Sequence, residues 1–217
     1  MGLTVKPRVI TVVMLLCFTA VAALHLETFT ATYGPFDSSY RKIFNFEGSA
    51  TIDNNALQLT PNSDYQKGLT PRPIQNLYGR VRLSKQFMLW EQDYNKTDRV
   101  ASFNSSFLFS VYPLGGNTSP GEGLAFILVP FWNRALTSSY GKYLGLTGLG
   151  MDGYSYNCLL AVEFDNVKQE FDPDANHVGL NINSIRSNVT ASLTTLGIEL
   201  APEGQASSLL KTYLSFQ

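Results

Sequence analysis

Apolar positions along this chain recur with a period of two far more often than with the helical period of 3.6. In Leu160–Asp165, which reads LAVEFD, the apolar Leu160, Val162 and Phe164 alternate with Ala161, Glu163 and Asp165. A strand is predicted there, with two carboxylates leaving the same side. Runs of the same kind, bounded by Gly, Pro, Asn and Asp, predict strands at 43–46, 49–52, 56–59, 79–83, 102–111, 123–129, 143–146, 159–165 and 178–182. Residues 209–216 are expected to form a short strand or helix. Few stretches carry helical periodicity. Many short strands joined by turn chemistry, such as Asp53-Asn54-Asn55 and residues 113–116, predict an all-β chain built as an antiparallel β-sandwich.

Composition agrees, with aromatics at 12% and charged residues at only 15%. The formal net charge of −1 offers no basic stripe for a nucleic acid backbone. Residues 1–23 look like a signal peptide: Lys6 and Arg8 precede the apolar run 9–18, and small residues including Ala20, Ala22 and Ala23 follow. That run is short for a bilayer, so a secreted, extracellular protein is expected, with no membrane span after cleavage. Cleavage would remove Cys17 and leave Cys158 without an intrachain partner, read here as a small buried hydrophobe. Asn-x-Ser/Thr sites at Asn95, Asn104, Asn117 and Asn188 are candidate glycosylation sites on such a route.

Candidate chemistry gathers after the LAVEFD strand. Glu163 and Asp165 are followed by Asp172, Asp174, Asn176 and His177, just before an apolar strand. Oxygen ligands suit a hard cation such as Ca²⁺, and one imidazole among carboxylates suits Mn²⁺ or another transition ion. From spacing alone, a solvated acidic loop fits as well. A third reading takes Glu163, Asp165 or Glu122 as the acid/base pair of a glycoside hydrolase, against which stands the neighbouring His in a ligand-like setting. No Ser-His-Asp arrangement is supported, because His25 adjoins the cleavage site and His177 has the better role as ligand.

AVEFD followed by FDPDANHVGLNINS resembles the metal loop of the legume-type (L-type) lectins, which also form the ectodomains of plant lectin receptor kinases. FNFEGSA with ALQLT, GRVR, GEGLAFILVP and YLGL resemble further strands of that family. The resemblance implies a concanavalin-like jelly-roll, carbohydrate binding without catalysis, and adjacent Ca²⁺ and Mn²⁺ ions. Its metal ligands carry over to Glu163, Asp165, Asp172 and His177, with Val167 supplying a backbone carbonyl. Its sugar contacts carry over to Glu122, Gly141 and the N–H of Lys142, with Phe131 or Trp132 as an aromatic face.

The pattern departs from the family at two points. Residues 166–171 read NVKQEF, about two residues short, and no side chain takes the place of the family's calcium-binding Asn. Glu122 stands where the family has an Asp after a cis peptide, and its extra methylene moves the carboxylate by about 1.5 Å. The sugar site is therefore read as partly degenerate. The lectin-like domain is placed at 24–200 and a divergent tail at 201–217, with the sandwich incomplete at its C-terminus and its sheet edges open. The expected partner is a glycan or glycoprotein in the extracellular or apoplastic space. The alternative is an interaction or decoy protein that pairs with a lectin receptor kinase, or with a second copy, without binding sugar.

Overall fold

The computed structural model describes residues 26, 28–61, 75–92, 96–111, 121–202 and, by backbone only, 210–216. The signal segment, His25, Asn95, Asn117 and the turn at 113–116 lie outside the described residues. The described residues contain strands and short 3₁₀ segments but no α-helix. None of their helices is long and apolar enough to cross a membrane.

The strands are β1 (Phe44–Gly48), β2 (Thr51–Asp53), β3 (Ala56–Gln58), β4 (Gly79–Leu83), β5 (Trp90–Gln92), β6 (Asp98–Val100), β7 (Phe103–Phe109), β8 (Gly123–Leu128), β9 (Leu160–Asp165), β10 (His177–Ile182), β11 (Val189–Ser192) and β12 (Leu210–Phe216). β1 pairs with β4, β2 with β3, β5 with β6, and β7 with β12. Asn54 and Asn55 turn β2 into β3 at φ 48° and 60°, the doubly left-handed combination of a tight hairpin.

The chain divides into two compact units. One comprises residues 1–32, 87–105 and 214–217; its described part holds the β5–β6 hairpin, with Trp90 opposite Val100, and an edge-on Phe29–Phe87 pair at 5.1 Å. The other comprises 33–86 and 106–213 and carries the candidate site.

At the heart of that second unit is a four-stranded antiparallel sheet of order β11-β10-β9-β8. Alternation along β9 sends Phe164 and Val162 to one face, where Leu124, Val178, Leu193, Leu200, Phe107 and Phe109 pack. Ala161 points to the other face and joins Leu146, Leu159, Ile185, Ala125 and Ile127. Further along that second row come Glu163 and Asp165, 1% and 4% exposed. The carboxylates thus continue a core row rather than facing solvent.

Three expectations are corrected. Residues 143–146 form no strand: a 3₁₀ turn covers Gly141–Tyr143, and Leu144 closes it in the left-handed region at φ 49°. β5, β6 and β11 were not expected, because WEQ, DRV and VTAS are short and carry almost no apolar alternation. Cys158 is exposed rather than buried, on a left-handed turn residue at φ 47°.

Candidate functional site

The register of the sheet assembles the site. His177 lies directly across from Asp165, Gly179 from Glu163, and Asn181 from Ala161. On the other side of β9, Gly123 faces Asp165. Glu122, immediately before β8, is therefore delivered to the same end of the sheet as Asp165 and His177.

Asp165, Asp172 and His177 each offer a ligand atom within 4.8 Å of the others. His177 is fully buried, and its Nδ1 lies 3.0 Å from the Asp174 carbonyl oxygen. That contact fits an Nδ1–H donor, which in the neutral imidazole leaves Nε2 as a bare lone pair. Nε2 is buried and has no hydrogen-bond partner; Glu163 Oε1 is 3.5 Å away and Asp172 Oδ1 3.9 Å. A buried lone pair beside three carboxylates is what a divalent cation would satisfy, so the residues present fit such an ion.

Each sequence-predicted ligand has a definite place. Asp165 accepts from the Val167 N–H at 2.8 Å, and Asp172 from the Gln169 N–H at 2.7 Å. Val167 thus meets the site through its N–H in this arrangement. Glu163 adjoins His177 but stands outside the three-residue cluster; its oxygens accept from Asn181 Nδ2 at 2.9 Å and from Ser187 Oγ, which donates to Oε1. Asn176 is structural, bonding Thr194, the Ile198 carbonyl and the Leu200 N–H.

Asn181 and Ser187 were missed by the sequence reading. Asn181 was within its reach, since residues 177, 179 and 181 share one face of a strand. Ser187 lies on a loop whose return carries no periodic signal. Gly179 makes the arrangement possible: a Cβ there would lie 2.0 Å from Ser187 Oγ and 2.6 Å from Glu163 Oε1.

The candidate sugar contacts are joined to this cluster. Gln169 Nε2 donates to Glu122 Oε2 at 3.0 Å, and Asn166 bonds the Gly121 carbonyl through Nδ2 and the Glu122 carbonyl through its N–H. Glu122 Oε1 also lies 3.8 Å from where a Cβ on Gly141 would be. Glu122 and Gly141 are thus neighbours, while Lys142 is exposed and its ammonium sits 5.5 Å from the Tyr143 ring. The Gly121–Glu122 peptide is not cis. Phe131 and Trp132 are exposed, but they follow the opposite end of β8. Of the candidate glycosylation sites described, Asn104 on β7 and Asn188 before β11 are both exposed.

The electrostatics are those of carboxylates crowded in a dry place. Burial, with Asp172 and Glu163 adding to it against the Val167 N–H and His177, pushes the Asp165 carboxyl up to about 7. Burial also raises Asp172 and Glu122. For His177, burial pulls the imidazole down, but Glu163, Asp165, the Asp174 carbonyl and Asp172 outweigh it and the net shift is upward. The sign is the same for all four. The folded, metal-free chain holds protons that the unfolded chain releases at lower pH, so these groups favour folding in mild acid and lose that contribution as pH rises, Asp165 through about 7. In chelator, the melting temperature is expected to fall between pH 5 and pH 8. Added divalent cation must expel those protons, so its stabilisation is expected to be larger at pH 8 than at pH 5, as thermal scans at the two pH values would show.

A lectin-type β-sandwich domain with a clustered carboxylate–imidazole site is the class this arrangement defines. The legume lectin domain model matches residues 28–213, and the chain belongs to that family of carbohydrate-binding proteins, which are not enzymes. It is 36% identical over 119 residues to a lectin from Onobrychis viciifolia, covering 55% of this chain and 47% of the relative. It is 36% identical over 147 residues to a probable L-type lectin-domain containing receptor kinase S.5 from Arabidopsis thaliana, covering 67% and 21%. To the mannose-specific lectin CML-2 from Centrolobium microchaete it is 33% identical, covering 70% and 60%. The chain thus spans between about a fifth and three fifths of these relatives' lengths. Among solved structures, the metal-free form of lectin I-B4 from Griffonia simplicifolia superposes with a TM-score of 0.67 at 28% identity, over 87% of this chain and 74% of that one.

Proposed function

We propose that this chain is a secreted carbohydrate-binding domain whose sugar-contact loop is held by a divalent-metal loop. The observation that carries the reading is the buried, unpartnered His177 Nε2 among Asp165, Asp172 and Glu163, on a loop tied through Gln169 to Glu122. Asp165, Asp172 and His177, with Glu163 beside them, would hold Ca²⁺ and Mn²⁺. The bound charge would neutralise carboxylates that otherwise repel one another.

The sugar chemistry falls to the chain's own residues. Glu122 presents one oxygen toward Gly141 and gives the other to Gln169, which orients the carboxylate to accept from ligand hydroxyls. Lys142 places a cation at the exposed rim. Glu122 is one methylene longer than the family's Asp, so its carboxylate meets a hydroxyl pair in a different place. An altered glycan preference follows, and the partner is a glycan or glycoprotein.

Two measurements test this on the secreted chain. Thermal unfolding in chelator, then with Ca²⁺, then with Mn²⁺, is expected to show a rise with metal; a cooperative transition indifferent to both ions would sink the metal part. A glycan panel that includes mannose-terminated chains is expected to give metal-dependent signals, and silence from folded, metal-loaded protein would sink the sugar part. Glu122→Gln separates the two: it should lower glycan affinity about tenfold or more, as loss of a charged hydrogen-bond acceptor does, while leaving the metal-induced thermal shift in place.

A further inference from the structure

Phe131 and Trp132 stand at the far end of the sheet from the carboxylate–imidazole cluster. Glu122 comes just before β8 and the aromatic pair comes after it, so six residues of strand, about 20 Å at 3.3 Å per residue, lie between them. The Asn133 N–H donates to the Pro130 carbonyl at 3.0 Å, which makes Phe131 and Trp132 the two central residues of a tight turn. Such positions ordinarily go to Pro, Gly, Asn, Asp or Ser, which supply the turn geometry and are at home in water. Here two large aromatic side chains occupy them, 64% and 53% exposed.

The turn is fixed from beneath. Asn133 Oδ1 accepts from Arg80 Nη1 at 2.7 Å, and Asn133 Nδ2 donates to the Asn157 carbonyl at 3.2 Å. The Phe131 carbonyl accepts from Arg82 Nη1 at 3.4 Å and from Arg134 Nη1 at 3.2 Å. Just past the turn, the Ala135 N–H donates to Glu47 Oε2 at 2.9 Å. Arg80 is buried and the Arg82 side chain nearly so, while the two rings above them stay in water. A backbone held in this way has little freedom left to lose on binding.

Charge is out of balance at the same place. Three guanidiniums, those of Arg80, Arg82 and Arg134, surround one carboxylate, Glu47, whose Oε1 lies 2.5 Å from Arg82 Nη2 and 3.8 Å from Arg134 Nη1. The hydrogen bonds of the Arg80 guanidinium go to the neutral Asn133 and Gly145 oxygens. Burial pulls that group down to about 10, with Glu47 opposing and Arg82 and Arg134 adding to the shift, so it remains charged at neutral pH. Arg134 is the exposed member. Its bonds among the described residues use Nη1 alone, which keeps Nε and Nη2 as donors for a ligand.

We propose that Phe131, Trp132 and Arg134 form a second, metal-independent carbohydrate site, and that it takes an acidic oligosaccharide, one whose pyranose rings carry carboxylates. The C–H bonds on the flat face of such a ring meet the negative face of an aromatic side chain, and the ring's carboxylate meets the Arg134 fork. Surplus positive charge selects an acidic sugar over a neutral one. Size selects a saccharide over a protein: two aromatic side chains offer about 150–250 Å² each, against roughly 800 Å² a side in a stable protein interface. The site goes beyond the function proposed above, sharing neither its residues nor its need for a cation.

The test uses the full secreted chain in chelator, titrated with a tetramer of galacturonic acid and followed by NMR of the ligand. Saturable binding is expected. The methyl-esterified tetramer has the same rings without the charge and should bind about tenfold more weakly, as loss of a charged hydrogen bond predicts. Trp132→Ala and Arg134→Ala, at exposed positions outside the core, should each weaken binding about tenfold or more while thermal unfolding stays nearly unchanged. Glu122→Gln should bind the tetramer like the wild type, which separates this site from the metal-held one. Folded wild type that ignores the galacturonate tetramer would overturn the proposal, as would undiminished binding by either variant or by the esterified tetramer. A polyglutamate peptide of equal charge that competes as well as the saccharide would also overturn it, because the surface would then read charge and not sugar.

Discussion

Gly123→Ala is expected to leave almost no folded protein. Gly123 sits at φ 145°, where a side chain is rarely accommodated, and a Cβ there would lie 2.2 Å from the Phe164 carbonyl oxygen and 3.1 Å from the Asp165 Cα. The obstacle is backbone of the neighbouring strand, which cannot rotate away. Strained backbone of this kind costs about 1–3 kcal/mol, and overpacking costs a similar amount again. Together they come to about 2–6 kcal/mol, enough to consume the stability of a domain at the lower end of the usual range of about 5–15 kcal/mol. Denaturant unfolding of purified variant, or its failure to accumulate, measures the effect; wild-type stability would mean that β8 does not run against β9 as described.

His177→Ala is expected to do the opposite: leave a folded chain that no longer responds to metal. The side chain is fully buried, so its loss also leaves a small cavity, costing about 2–3 kcal/mol in chelator. The diagnostic result is the difference between conditions. Wild type should gain about 2.7 kcal/mol when free cation stands at a hundred times its dissociation constant, because only the folded state assembles the ligands. The variant should gain little, since Asp165 and Asp172 remain without the imidazole. Thermal scans of both proteins with and without Mn²⁺ decide it. An equal metal response in the two would place the binding residues elsewhere.

Much of this was legible in the sequence because alternation is local. β9 and β10 could be read directly, and with them the shared face of Glu163 and Asp165. Asp172 and His177 fell into place because a loop of eleven residues between two antiparallel strands must return to where it began. What failed was non-local or aperiodic. The face of Glu163 and Asp165 turned out to be buried, because Ala161 begins that row against Leu146 and Ile185, which pack from other segments. Gln169 lies in the stretch where no side chain was seen to take the place of the family's Asn, and its tie to Glu122, 47 residues away in sequence, depends on β8 lying beside β9. The 3₁₀ turn at Gly141–Tyr143 mimicked a strand because four residues are too few to separate two periods. β11 was invisible because it is nearly featureless.

Asp165 and His177 form the last rung of the β9–β10 ladder, the rung nearest the connecting loop. Hairpin ends open first and most often, at a free energy well below that of global unfolding. The ligand set and the end of the ladder therefore come apart in a single event. For a cation held there as proposed, residence would be governed by how often one pair of strands unzips by a residue or two, not by escape from a rigid cage. Anything that steadies that rung, Gln169 on Glu122 or the amide of Val167 on Asp165, would slow the clock of such a site.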